Sequence, residues 1–229
     1  TKTMQALSKA DILIYNSTGM ERWVEQATQA AANPKLVIVE ASKDTDRISL
    51  TEADEIRAHG QYDPHTWLSL SCAQTEVKNI AEALAAADKT NADFYRKNAA
   101  EYNQKLQALL AAYQKKFSKL EQKDFVTGHA AFAYLCRDFG LQQQSIEDVF
   151  ASGEPSAQNL AKLTAYCKEH NVKTIFVEEA VSPKTSETLA REVGATTQEI
   201  YTIESSNGEK TYLTRMEENL DAIYKSLKK

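Results

Sequence analysis

"VKTIFVEE", residues 172–179, decides how this chain folds. It carries a short apolar run rich in β-branched side chains, and helical patterns flank it on both sides: "EPSAQNLAKLTAYCKEHN" (154–171) before and "SPKTSETLAREVG" (182–194) after. Such runs mark strands buried on both faces, because the crossover helices of a parallel sheet cover both sides. Working outward, "TTQEIYTIE" (196–204) predicts the next strand and "TYLTRMEENLDAIYKSLKK" (211–229) a final amphipathic helix. Upstream, "DFVTG" (124–128) predicts a strand, "HAAFAYLCRDFG" (129–140) a helix closed by Gly140, and "QQQSIEDVF" (142–150) a strand and loop. Pro155 and Ser156 mark one helix start, and Gly194 marks a helix end.

The same alternation opens the chain, with "DILIYN" (11–16) and "KLVIVE" (35–40) as buried parallel strands around the helical "GMERWVEQATQAA" (19–31). The fold class is therefore α/β, with a parallel sheet and flanking helices in each half. Val77, Ile80, Ala81 and Leu84 repeat at helical spacing within 71–87. A longer helix follows from about Asn91 to Leu120, its stripe formed by Tyr95, Tyr102, Leu106, Leu109, Tyr113, Phe117 and Leu120. Thirty helical residues extend roughly 45 Å, more than one small lobe needs. The expected organisation is an N-terminal lobe over 1–88, a long linking helix over 89–122 and a C-terminal lobe over 123–229.

Several function classes are disfavoured by composition. Net charge is −5, and the 27 Lys and Arg are spread among 32 Asp and Glu with no basic block, which argues against a nucleic-acid partner. No apolar run approaches the roughly 18 residues a membrane span needs. The opening "TKTMQALSKAD" looks like the inside of a helix, so an upstream signal segment is expected to have been removed. Cys72, Cys136 and Cys167 form no C-x-x-C pair and are odd in number, and they are expected to be three half-buried thiols with at most one bridge.

In open parallel sheets, ligands bind at the carboxyl ends of the strands. Here those positions hold His129 after strand 124–127, Glu178 and Glu179 after 173–177, and Glu204 after 196–203. His65, in "YDPHTWLS", precedes a helix of the first lobe. Two imidazoles and a carboxylate meeting across a cleft would suit Zn²⁺, with Mn²⁺ or Fe²⁺ acceptable. On residue type alone, a lone histidine is more often a surface or hydrogen-bonded structural residue than a ligand. Glu178 and Glu179 read either as one inward group beside a solvated neighbour or as two surface acids. His170 reads as a solvated cation at a helix end, and His59 in "RAHGQYD" as a loop residue.

Taken together, "SKADILIYNSTGMERWVEQ", "YDPHTWLS", "VTGHAAFAYLCRDFGL", "GEPSAQNL" and "IFVEEAVSPKTSETLAREVGA" resemble the metal-binding solute-binding proteins of bacterial ABC transporters, specifically the zinc branch. The resemblance covers essentially the whole chain. It implies two α/β lobes joined by one rigid helix, with a metal in the cleft. It also implies His65, His129 and Glu204 as ligands. Glu178, at a strand end but outside the family's ligand motifs, is the candidate acceptor orienting an imidazole N–H. Manganese-binding relatives typically carry Glu where His129 stands, so the imidazole points to Zn²⁺. A further His is expected from a loop preceding the chain's first helix, and the His-rich loop of many zinc-binding members is reduced here to His59. The implied function is capture of zinc outside the cytoplasm, as a periplasmic or lipid-anchored monomer, and delivery to a membrane permease without enzymatic turnover. A surface-adhesin role would be an addition to that fold. A zinc hydrolase on the same ligands is the alternative from another class, opposed by the absence of H-E-x-x-H and of a nucleophile–base pair.

Overall fold

A computed structural model describes residues 2–17, 19–151, 155–179, 182–206, 208 and 210–228. Thr1, Glu154 and Lys229, at which sequence patterning begins or ends helices, lie outside the described residues. The chain divides into two compact units, Thr1–Ala108 and Leu109–Lys229.

The first unit contains α1 (Lys2–Leu7), β1 (Ile12–Tyr15), α2 (Val24–Ala31), β2 (Val37–Glu40), α3 (Ala53–His59) and α4 (Leu70–Ala87). It also holds the N-terminal part of α5 (Ala92–Phe117). Strands β1 and β2 pair in parallel, Ile12 opposite Val37 and Tyr15 opposite Glu40. Their composition predicts burial, yet Ile14, Val37 and Ile38 are exposed. The physical reason is that this sheet has two strands among the described residues, so each strand has an open edge. The unit's core instead gathers Leu7, Val24, Leu50, Leu68, Leu70, Ala81, Ala85 and Leu106.

Three local expectations are corrected here. Residues 19–20 and 22–23 are turns, and α2 begins only at Val24. His59 is the last residue of a helix, not of a loop; α3 has acidic residues in its first turn and Arg57 and His59 in its last, which suits the helix dipole, but it buries no residue and so shows no apolar stripe. The three cysteines are all unbridged thiols and fully buried, not half-buried.

Helix α5 has 26 residues, about 39 Å, and the boundary between units falls inside it. On the first-unit side, Asn103 donates to the Gln74 carbonyl (3.0 Å) and Arg96 pairs with Glu82. On the second-unit side, Phe117 packs against Phe139 and Tyr224, and the Tyr113 hydroxyl donates to Asp221 (2.9 Å).

The second unit continues with β3 (Asp124–Thr127), α6 (Ala133–Phe139), β4 (Gln142–Ser145), α7 (Ala157–Glu169), β5 (Thr174–Glu178), α8 (Lys184–Val193), β6 (Thr196–Ile200) and α9 (Tyr212–Leu227). Its four strands are all parallel, in the order β4-β3-β5-β6. That order explains the strand compositions. Central β3 and β5 are apolar on both faces: Val126 and Ile175 join Leu163, Cys167 and Leu189 on one side, while Phe125 stacks edge-on with Phe132 and Phe176. The edge strands read QQQS and TTQEI, and polar residues at an open edge discourage pairing with foreign strands.

The helices begin and end where side chains or backbone provide caps. Ser69, Ser156 and Thr211 accept from N–H groups in the first turns of α4, α7 and α9. Gly140 and Gly194 take the left-handed conformation that closes α6 and α8. No helix among the described residues is long and apolar enough to cross a membrane.

Candidate metal centre

In the first unit, Pro64 and the short 3₁₀ turn Thr66–Leu68 enclose His65. The loop is braced from outside: the Asn16 side-chain amide donates to the Pro64 carbonyl (2.8 Å), and the Thr66 hydroxyl donates to Glu76 (2.6 Å). Burial raises the Glu76 carboxyl above its ordinary value, and the Thr66 hydroxyl opposes that rise by favouring the ionised form.

Asp63 and His65 are both buried. One Asp63 oxygen accepts the His65 backbone N–H (2.9 Å) and faces ring Nδ1 at 2.8 Å. A carboxylate on Nδ1 selects the tautomer whose ligating lone pair is on Nε2. Sequence reasoning does not single out Asp63; the available signal is an acid two residues before a candidate ligand, held by an intervening proline.

In the second unit the strand order creates a switch point. From β3 the chain moves outward to β4, then crosses to β5 and continues outward to β6, so a crevice opens between the carboxyl ends of β3 and β5. His129 follows β3 and Glu178 ends β5 at that place. Glu178 Oε1 accepts the His129 backbone N–H at 2.9 Å and faces His129 Nδ1 at 3.3 Å. On the opposite side of the ring, Nε2 lies 3.9 Å from Glu204 Oε1. The His129 carbonyl accepts from Thr127 Oγ1 (2.7 Å) and Gln143 Nε2 (2.8 Å), fixing the backbone that carries the ring.

Gly128 also escapes sequence reasoning, although its place between a strand end and a candidate ligand is a signal. An added Cβ there would fall 2.2 Å from Glu178 Oε2, so glycine is what allows this carboxylate to lie against the turn.

Burial works against a charged His129. The contact and charge of Glu178 outweigh it, with Glu204 and Glu147 adding to the effect, so the imidazole titrates above its ordinary value. Glu147, just after β4, is raised by its own burial; the His129 charge opposes the rise, while Glu178 and Asp148 support it.

Two expectations about strand-end residues change. Strand β6 stops at Ile200, so Glu204 sits four residues into a loop instead of at the strand end. The ladder stops because Asn219 takes both the N–H and the C=O of Tyr201, and Glu179 takes the next two N–H groups. Glu178 and Glu179 are not surface acids: one turns to His129, the other to this loop.

His129, Glu178 and Glu204 thus meet within the second unit, while His65 belongs to the first. At metal–ligand lengths near 2.0–2.2 Å, two tetrahedral ligands are about 3.3 Å apart. The 3.9 Å between His129 and Glu204 is therefore within about half an ångström of what a shared Zn²⁺ requires. His170 caps the end of α7 and stacks on Tyr166 with ring centroids 4.2 Å apart.

Comparison with known proteins gives a consistent picture. Residues 1–226 match the family model for "Zinc-uptake complex component A periplasmic". The high-affinity zinc uptake system protein ZnuA of Bacillus subtilis (strain 168) is 41% identical over 239 residues, covering 99% of this chain and 75% of that protein. Among solved structures, a mutant of the laminin-binding adhesin Lmb from Streptococcus agalactiae superposes with a TM-score of 0.90 at 34% identity, over 100% of this chain and 85% of that one. A Zn(II)-bound mutant variant of AdcAII from Streptococcus pneumoniae gives 0.89 at 33% identity, over 100% and 84%.

Proposed function

Because the chain belongs to the family of the periplasmic component A of zinc-uptake complexes, we propose that it captures Zn²⁺ through His65, His129 and Glu204 and passes the ion to the membrane permease of an ABC importer. The ion is cargo: the family's role is binding and transport, and no step of turnover is invoked. The observation that carries the ligand assignment is the arrangement around His129, with a buried carboxylate on Nδ1 and Glu204 at 3.9 Å from Nε2. The Asp63–His65 pair supports it, since it repeats the carboxylate–imidazole pattern that orients metal-binding histidines.

In this reading Glu178 and Asp63 orient the two rings, and Zn²⁺ neutralises the negative charge that Glu204 and its neighbours concentrate. Both imidazoles must be neutral to ligate, so protons and zinc compete for the same lone pairs. The chain works outside the cytoplasm as a monomer, with residues 1–88 and 123–229 as its lobes and 89–122 as the link. Two imidazoles against one carboxylate favour Zn²⁺ over Mn²⁺.

Competitive titration with Zn²⁺ and Mn²⁺, by calorimetry, tests this on the wild-type chain and on His65→Ala, His129→Ala and Glu204→Ala. One-to-one zinc binding, tighter than manganese and strongly weakened in each variant, is expected. Zinc affinity unchanged in the variants would overturn the ligand set, and preference for Mn²⁺ would overturn the choice of cargo.

A further inference from the structure

Glu204 lies in a loop whose backbone is held at nearly every step by side chains that play no part in the ligand set. Tyr201 gives its N–H to Asn219 Oδ1 (2.8 Å) and receives Asn219 Nδ2 at its carbonyl (2.7 Å). The N–H groups of Thr202 and Ile203 converge on the two oxygens of Glu179, at 2.8 and 3.1 Å. Beyond Glu204, the Ser205 carbonyl accepts from Arg215 Nη1 at 2.6 Å. Arg215 and Asn219 are buried, and Arg215 Nη1 lies 3.9 Å from Glu179 Oε1.

The loop pinned in this way is strained. Ile203 has φ +59°, the left-handed region that a β-branched residue strongly disfavours. Strain of this kind persists only where the surroundings over-determine the backbone. Two consecutive N–H groups on one carboxylate provide that determination. They form the concave donor pair that elsewhere holds an anion, filled here by the protein's own side chain. The position calls for a group with two acceptor oxygens: glutamine would set an N–H₂ against one of the two donors.

We propose that Glu179 is a positioning residue for metal capture. Its carboxylate, backed by Arg215 and Asn219, holds Ile203 in the left-handed conformation and thereby aims Glu204 at the Nε2 side of His129. This rests on the reading of Glu204 as a zinc ligand. Glu179 touches no metal; it acts through Glu204, which is what separates it from a residue that merely stabilises the fold.

The test is a double-mutant cycle in zinc affinity, measured by competition with a chromophoric chelator on wild type, Glu179→Gln, Glu204→Ala and the double variant. Glu179→Gln is expected to weaken zinc binding about 10- to 100-fold, the usual effect of removing an outer orienting group. In the Glu204→Ala background the same change should cost less than about twofold, because the residue it positions is gone. Adding Ile203→Gly to Glu179→Gln should recover most of the loss, since glycine adopts positive φ without a Cβ penalty.

Equal costs of Glu179→Gln with and without Glu204, or wild-type affinity in Glu179→Gln, overturns the positioning role while leaving the ligand set intact. Zinc affinity unaffected by Glu204→Ala alone overturns the ligand reading itself, and the proposal with it. If Glu179→Gln does not fold by circular dichroism, Arg215→Lys, which withdraws the guanidinium from the Ser205 carbonyl, takes its place in the same cycle with the same expected outcomes.

Discussion

Replacing Gly128 by alanine should disrupt the His129–Glu178–Glu204 cluster of the second unit by steric means alone. Gly128 is not among the described glycines with positive φ, so alanine is conformationally acceptable there and the only obstacle is space. Its Cβ would lie 2.2 Å from Glu178 Oε2 and 3.2 Å from Oε1. Ordinary contact begins near 3.4 Å, so the carboxylate must retreat by about an ångström. Glu178 is 2% exposed, so its carboxylate has to retreat within the protein interior. A retreat of that size stretches its 2.9 Å bond to the His129 N–H past hydrogen-bonding range and moves its charge, now 3.3 Å from Nδ1, away from the ring. Losing a bond to a charged group costs about 1.5–3 kcal/mol and overpacking about 1–3 kcal/mol, giving about 2.5–6 kcal/mol and a fall in Tm of about 5–24 °C. Zinc affinity should fall about 10- to 100-fold as the imidazole loses its orienting group. The assay pairs differential scanning calorimetry with chelator competition on Gly128→Ala and on Gly128→Ala/Glu178→Ala. In the double variant the alanine methyl has nothing to strike, so it should cost little beyond Glu178→Ala. Wild-type Tm and affinity in Gly128→Ala, or a full second penalty in the double variant, would refute the steric account.

Asp63→Asn keeps an acceptor for the His65 N–H but removes the charge that holds Nδ1–H, and zinc affinity should drop about 10-fold by calorimetric titration with little change in Tm. His129 is buried, but its carboxylate neighbours raise its folded pKa above the usual value near 6.5. The stability gained by protonating it is complete below that unfolded value and is lost as pH rises through the raised folded one. Zinc, which needs the neutral ring, gains over the same interval. The Tm difference between zinc-loaded and metal-free protein should therefore widen from pH 6 to pH 8, and a constant or shrinking difference would remove His129 from the site. Burial pushes the Cys167 thiol up to about 11, and burial followed by the Asp124 charge pushes Cys136 up as well. With Cys72 also buried, a thiol-specific chromogenic reagent at pH 8 should titrate none of the three in the native protein and all three in denaturant.

What the sequence made legible was set by periodicity. The apolar runs of β3 and β5, the stripe of α5 and the stop signals at Gly140 and Gly194 read directly, because burial and backbone conformation constrain residue type there. The short helix α3 did not read, since a helix that buries nothing leaves no pattern. Nor did the exposure of β1 and β2, whose composition is that of covered strands. For the candidate site, the carboxyl ends of β3 and β5 lead directly to His129 and Glu178. Gly128, Glu147 and the loop contacts of Glu179 do not emerge that way, because they depend on partners far away in sequence: Glu178 is 49 residues from His129, and Thr202 is 23 from Glu179. Asp63 lies two residues from His65, and only the folded contact distinguishes it from an ordinary loop acid.

Those separations also bear on the order in which folding and loading occur. A zinc finger gathers its ligands from a short peptide, so the metal itself drives folding. Here His129, Glu178 and Glu204 come from at or beyond the ends of three different strands of an all-parallel sheet. Each parallel pairing needs a crossover to close first, and the entropy of those closures is recovered only when the hydrophobic layers between strands and helices assemble. The Val126 and Phe125 faces therefore have to be built before His129 and Glu204 are brought close enough to share one ion. A nascent or freshly translocated chain would pass through its metal-free native state on the way to the loaded one. Zinc would then act on a finished scaffold, as freight taken aboard after assembly.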